Sequence, residues 1–258
     1  MRKDFRALLL VLMIFMVITT VMITVVDYGV GKKSSVISLR QAVPLNSREL
    51  FTIEGSRYVR YLRHGVGIYY DGRDWNLQRI SEVDKALNHA METHETLVLS
   101  AEYFAPLGSD FDRDVMNGLG VPDDPECLKL PENITARTRE LAYRITKDMS
   151  TPYEKVKAIQ EFLKVKYRYD LDYSVAPEGW EPNDWFLFES RKGICGHFNS
   201  AFVVLVRAAG IPARLAYGYY LLPGDDGEPQ KVYSTWAHAW AEVEFDEIGW
   251  LAFEATPD

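Results

Sequence analysis

The sequence predicts an α+β protein preceded by a membrane segment. Three observations predict it: an uncharged apolar run over residues 7–26, period-two alternation in two widely separated stretches, and three helical patterns between them. Hydrophobic residues make up 47% of the 258, enough for one large core or two modest ones. That composition excludes a disordered chain. With 29 basic against 37 acidic side chains the net charge is −8. General nucleic-acid binding needs a basic footprint and is excluded as well.

Residues 7–26 read "ALLLVLMIFMVITTVMITVV". A helix of this length rises about 30 Å, the thickness of a hydrocarbon core. No small-x-small cleavage site follows, so a retained signal anchor is expected rather than a removed signal peptide. Arg2, Lys3 and Arg6 place residues 1–6 in the cytoplasm and the rest of the chain outside. Lys32 and Lys33 oppose that bias. Residues 27–50 are polar, lack a helical period and read as a linker.

Residues 51–125 read as a β-rich module. In "YVRYLRHGVGIYYDGRDW" apolar residues alternate with arginines, and Asp71-Gly72 marks a tight turn. "ETLVLSAEYF" is a further expected strand. His89 and His94 are five apart, on different faces of a helix, with no carboxylate at matching spacing. No metal site is expected there. The Pro- and Asp-rich "LGVPDDPECLKLP" leads into a second domain, 126–258. Asn133 opens an Asn-x-Thr triplet, a glycosylation acceptor in an outward-facing chain, although such triplets also arise by chance.

Two helices are expected over 134–149 and 152–166. Thr151 is a natural N-cap, Pro152 fits the first helical position and Glu154 completes a capping box. Val156, Ile159 and Leu163 form the stripe to be buried. Residues 167–185, aromatic, acidic and broken by Pro177 and Pro182, read as a long surface loop.

"RKGICGHFNSAFVVLVRAAG" starts a mostly apolar helix near Cys195, stopped by Gly210 with Pro212 beyond. Cys195 is one of two cysteines. Free cysteine often serves as a small core hydrophobe. A cysteine in the first turn also meets unpaired N–H groups and the positive end of the helix dipole, which stabilise a thiolate. The same N–H groups suit an acyl oxyanion, and Gly193 and Gly196 suit close approach of a carbonyl. Pairing of Cys127 with Cys195 in an oxidising compartment would remove this nucleophile, and is not expected.

A thiolate nucleophile needs an imidazole and a group to orient it. "AHAWAEVEFDEIGWLAFEATPD" alternates on both sides of a tight reversal, the pattern of a β-hairpin. Folding brings Glu254 near His238 within a residue or two of register. Taken singly, His238 fits a core histidine beside a solvated carboxylate. The combination of helix-start cysteine, strand histidine and strand carboxylate points to acyl transfer.

These stretches, "FLFESRKGICGHFNSAFVVLVRAAGIPARLAYGYY", "AHAWAEV" and "GWLAFEATPD", resemble the transglutaminase-like superfamily, most closely its membrane-anchored bacterial and archaeal branch. The likeness covers residues 128–258. It implies a papain-like fold in which the nucleophile helix packs on an antiparallel sheet. It implies Cys195 as nucleophile, His238 as general base and Glu254 as the orienting acid, with no metal or organic cofactor. Three positions depart from the family pattern: Glu254-Ala255-Thr256 replaces the usual Asp-Pro-Thr, Gly196 replaces a common Glu, and Trp236 replaces a common Asp. The family also places an upstream aromatic near the oxyanion, for which Trp180 and Trp185 are candidates. The expected partner is a protein or peptide at the cell surface or wall. A catalytically silent binding module and a redox cysteine pair are the alternatives.

Overall fold

Period-two alternation builds one large sheet. Its strands are β1 (Val36–Ser38), β3 (Tyr61–Tyr70), β4 (Asp74–Arg79), β8 (Ala213–Tyr220), β10 (Ala237–Phe245) and β11 (Gly249–Phe253). They lie in the order β1-β4-β3-β8-β10-β11 and pair antiparallel throughout. The computed structural model describes residues 36–39, 46–54, 60–79, 81–99, 103–104, 106–222 and 228–257. The expected membrane segment, 7–26, lies outside the described residues. Among those described, no helix is long and apolar enough to cross a membrane.

The Asp71-Gly72 turn joins β3 to β4 as expected. Asp71 Oδ1 accepts from the Arg73 and Asp74 N–H groups, both at 2.8 Å, and Gly72 takes a φ of +90°. Strands from residues 51–125 share this sheet with strands from 126–258, because β3 pairs with β8 from Tyr61↔Tyr220 to Gly67↔Leu215. Gly218 makes that approach possible: a Cβ there would sit 2.0 Å from the Leu62 carbonyl oxygen. A smaller sheet joins β5 (Thr96–Val98), β2 (Glu49–Glu54) and β9 (Pro229–Tyr233) beside helix α1 (Ser81–Thr93). The expected strand in "ETLVLSAEYF" contracts to β5.

Helix α2 spans Ala136–Thr146 and is shorter than expected at both ends; Thr135 caps it. Helix α3 spans Pro152–Lys166. Thr151 Oγ1 accepts from Glu154 N at 3.1 Å, and Glu154 Oε2 accepts from Thr151 N at 3.2 Å. Val156, Ile159 and Leu163 are fully buried. Helix α4 spans Cys195–Ala208, and Gly210 beyond it takes φ +81°. From Phe198 through Val206 every residue of α4 is buried, so this helix is the axis of the core. It packs against α2, α3 and one sheet face carrying Leu215, Ala241, Val243, Phe245 and Phe253. The other face holds a smaller cluster around Tyr61, Ala216 and Trp240. There Glu242 is fully buried, satisfied by Arg63 at 3.1 Å and Arg214 at 2.7 Å.

The stretch 167–185 is more ordered than a surface loop. Arg168–Tyr169 (β6) pairs with Lys192–Gly193 (β7). Glu181 caps a helical turn at Pro182–Asp184, which continues as π-helix through Trp185–Ser190. The sequence concealed this turn because a π-helix breaks the 3.6-residue period and Pro182 reads equally as a loop signal.

Candidate active site

Cys195 is the first residue of α4, reached through an extended Ile194. His197, one turn in, anchors that start. Its Nδ1 accepts from Ile194 N at 3.3 Å, and its Nε2 donates to the Leu39 carbonyl at 3.1 Å. The ring lies against Tyr173 and Phe186, with centroids at 4.6 and 6.0 Å. Burial lowers its pKa to about 4, so it stays neutral. Gly193 is required here by packing: a Cβ would meet the His197 side chain at 2.9 Å. Gly196 is not so constrained, since a Cβ would touch only Leu39, at 3.8 Å.

The two cysteines have different surroundings. Cys127 is buried, and burial, followed by the Asp124 carboxylate, pushes its thiol up to about 12. Cys195 is half-buried, and both thiols are free.

β10 brings His238 to the cavity that Cys195 lines, close enough for the thiol to act on the imidazole's pKa. Pairing of Ala241 with Phe253, continued by one residue, sets Glu254 opposite Trp240, two residues from His238. His238 Nε2 meets Glu254 Oε2 at 2.5 Å. With Nε2 so engaged, Nδ1 is the ring nitrogen left for the thiol. Burial acts to lower the His238 pKa, but the neighbouring Cys195 thiol and Glu254 carboxylate outweigh it and hold it at about 10. For Glu254 burial acts upward, yet the His238 charge and hydrogen bonds keep its carboxyl below the ordinary value. The pair is imidazolium and carboxylate.

Two residues that the sequence pattern did not single out complete the site. Tyr61, from β3, donates to Glu254 Oε2 at 3.2 Å and stacks on the His238 ring at 5.8 Å. Asn199, fully buried and one turn after Cys195, donates to Glu254 Oε1 at 2.8 Å and to the Ala239 carbonyl at 2.9 Å. Its Oδ1 accepts from Ala255 N at 3.1 Å. Asn199 therefore ties the nucleophile helix to both the histidine strand and the acid. Its i+4 spacing from Cys195 was the only sequence signal for this role. Nothing local pointed to Tyr61.

Cys195, His238 and Glu254 open onto a cavity of about 580 Å³, whose wall includes Tyr61, Tyr169 and Trp236. Trp180 and Trp185, the aromatics expected near the oxyanion, do not line it. They pack on each other at 5.3 Å, and Trp185 Nε1 donates to the Ser174 carbonyl at 3.2 Å. Tyr169 lines the cavity in their place. Among the described residues no group of His, Cys, Asp and Glu side chains is arranged to hold a metal ion.

Residues 139–255 match the family model described as the transglutaminase-like superfamily. The chain carries a transglutaminase-like domain. That domain includes all three members of the Cys195–His238–Glu254 group. The chain is 40% identical over 136 residues to an uncharacterized protein, YebA, of Bacillus subtilis (strain 168), a match covering 50% of this chain and 18% of that protein. It is 36% identical over 133 residues to a protein-glutamine gamma-glutamyltransferase of Pseudomonas aeruginosa, covering 50% of this chain and 19% of that one. The matches thus span less than a fifth of these relatives. Among solved structures, the periplasmic domain of TgpA from Pseudomonas aeruginosa, bound to ethylmercury, superimposes with a TM-score of 0.56 at 22% identity, covering 86% of this chain and 95% of that one. The transglutaminase-like domain has the papain-like α+β fold expected of it: a helix begun by the cysteine, packed on an antiparallel sheet.

Proposed function

We propose that the protein is a cysteine acyl-transfer enzyme acting through Cys195, His238 and Glu254. The observation that supports this reading is that Cys195, His238 and Glu254 line one cavity, with His238 Nε2 2.5 Å from Glu254 Oε2. The proton that His238 holds against Glu254 is the one the thiol gives up, and the Cys195 sulfur attacks a carboxamide or peptide carbonyl. The C–N bond breaks as His238 returns that proton to the leaving amine, and a thioester remains. Glu254 holds the ring with Nδ1 toward sulfur and stabilises the imidazolium. Backbone N–H groups at the start of α4 face the developing oxyanion, with Tyr169 on the cavity wall beside them. Water or an amine then releases the acyl group. The name of the Pseudomonas relative, protein-glutamine gamma-glutamyltransferase, makes amine release a direct candidate.

The residue pattern of 1–26 supports a single-pass anchor at 7–26 with the enzyme facing outward, toward cell-surface or wall peptides. The test is iodoacetamide labelling with paired activity assays. Labelling of wild type but not of Cys195→Ala, with loss of hydroxamate formation from glutamine peptides, is the expected result. Equal labelling of both would leave the silent-scaffold reading in its place.

A further inference from the structure

The cavity over Cys195 carries a charge that the acyl-transfer chemistry does not use. Lys157, on α3, lines it half-buried. Its ammonium donates to Gln160 Oε1, and Gln160 Nε2 in turn donates to the Glu254 carbonyl at 2.8 Å. Among the described residues Lys157 forms no ion pair, and the Glu161 carboxylate acts on it only through space. Arg60 lines the same cavity from an exposed position, without an ion pair among the described residues, and Lys164 lines it two turns further along the same helical face. Of the acids on the wall, Glu254 is committed to His238 and Glu161 is exposed on the rim. Lys157 and Arg60 thus bring positive charge to the cavity that no described carboxylate pairs at contact distance.

A half-buried ammonium with a single neutral side-chain acceptor is under-solvated, and its pKa is lowered, first by burial. An incoming anion supplies what the fold does not: a charge-assisted partner in a partly desolvated site. We propose that Lys157, aided by Arg60, selects acidic acyl donors: peptides carrying a carboxylate next to the residue whose carbonyl Cys195 attacks. This rests on the acyl-transfer reading and names the substrate class for the same site.

Two arms test it. In the first, Cys195 is alkylated by iodoacetate and by iodoacetamide, and the ratio of the two rates is compared between wild type and Lys157→Met. One unit charge lining the cavity, at an effective dielectric between the protein surface and water, is worth a factor of about 3–10. The ratio should fall by that factor in Lys157→Met and be retained in Lys157→Arg, which keeps the charge. In the second, Ala-Gln-Glu-Ala and Ala-Gln-Gln-Ala serve as donors, with hydroxylamine as acceptor. Wild type should favour the acidic peptide in kcat/KM, and Lys157→Met should erase that preference.

An alkylation ratio unchanged in Lys157→Met overturns the proposal. So does a wild-type preference for the neutral peptide, or an acidic preference that survives Lys157→Met. If iodoacetamide labels Cys195 no faster than Cys195→Ala protein, it is the acyl-transfer reading itself that fails, and the two failures are distinguishable.

Discussion

Glu254→Gln probes the site hardest, because both of its oxygens act only as acceptors. Oε2 accepts from His238 Nε2 at 2.5 Å and from the Tyr61 hydroxyl at 3.2 Å. Oε1 accepts from Asn199 Nδ2 and from Thr256 N, both at 2.8 Å. A glutamine has one oxygen and one NH2 group. With the oxygen toward His238, the NH2 group opposes Asn199 and the Thr256 backbone, two buried donors that cannot turn away. Opposing them costs about 2–6 kcal/mol. With the amide reversed, the NH2 group donates to His238 Nε2, and the Tyr61 hydroxyl rotates to accept. That arrangement costs less, but it moves the imidazole proton to Nδ1, the nitrogen needed as base. A tautomer reversal of this kind in a serine triad lowers kcat by about 10⁴. The same order of loss is expected here, about 5 kcal/mol of activation free energy.

The assay is hydroxamate formation from a glutamine peptide, with iodoacetamide alkylation followed across pH. The variant should fold, bind the peptide and lose turnover. Its alkylation rate should lose the dependence on His238, whose pKa of about 10 requires the carboxylate. A Glu254→Gln enzyme within about threefold of wild type, with an unchanged pH profile, would refute the orienting role.

Three further outcomes follow from the geometry. His197, with its folded pKa lowered to about 4 from 6.5, binds fewer protons folded than unfolded between those values. The linked stability, about 3 kcal/mol at most, is complete above pH 6.5 and is lost as pH falls toward 4; His197→Gln should flatten that slope in urea titrations at pH 4.5 and 7. Gly218→Ala puts a methyl group into the Leu62 carbonyl and should destabilise by about 3 kcal/mol in urea unfolding, while a loss below 1 kcal/mol would contradict the β3–β8 register. Thr151→Ala removes the α3 cap and should cost about 1 kcal/mol by the same measurement.

What was legible in the sequence follows the range of the interactions involved. Helix α3 was readable to the residue, because Thr151, Pro152 and Glu154 determine its start within one turn. The end of α4 and the β10–β11 hairpin were readable for the same reason: a Gly stop and a tight turn are local signals. The three candidate site residues sit on or next to those elements: Cys195 starts α4, His238 lies on β10 and Glu254 follows β11. Tyr61 was hidden. It reaches Glu254 only because β3 pairs with β8, a contact between segments some 150 residues apart that no local pattern encodes. The candidates Trp180 and Trp185 rested on proximity along the chain, and the helical turn at 182–190 directs them onto each other and Ser174 instead.

The two least expected features of the site explain each other. Glutamate in place of aspartate brings one more rotatable bond, and with it freedom that a positioning acid should not have. In this chain that freedom is removed at both oxygens. Asn199 and the Thr256 N–H hold Oε1, and Tyr61 holds Oε2 from the side opposite the helix. Asn199 is itself fixed by Ala255 N and the Ala239 carbonyl, so the clamp does not depend on the carboxylate it restrains. The longer acid is thus as constrained as a shorter one held by fewer contacts, and its donors are set for its length. Glu254→Asp should therefore restore the residue common in the family and still lower activity here. The carboxylate would withdraw by about 1.5 Å from a 2.5 Å contact, and Asn199 and Tyr61 would be left facing the gap.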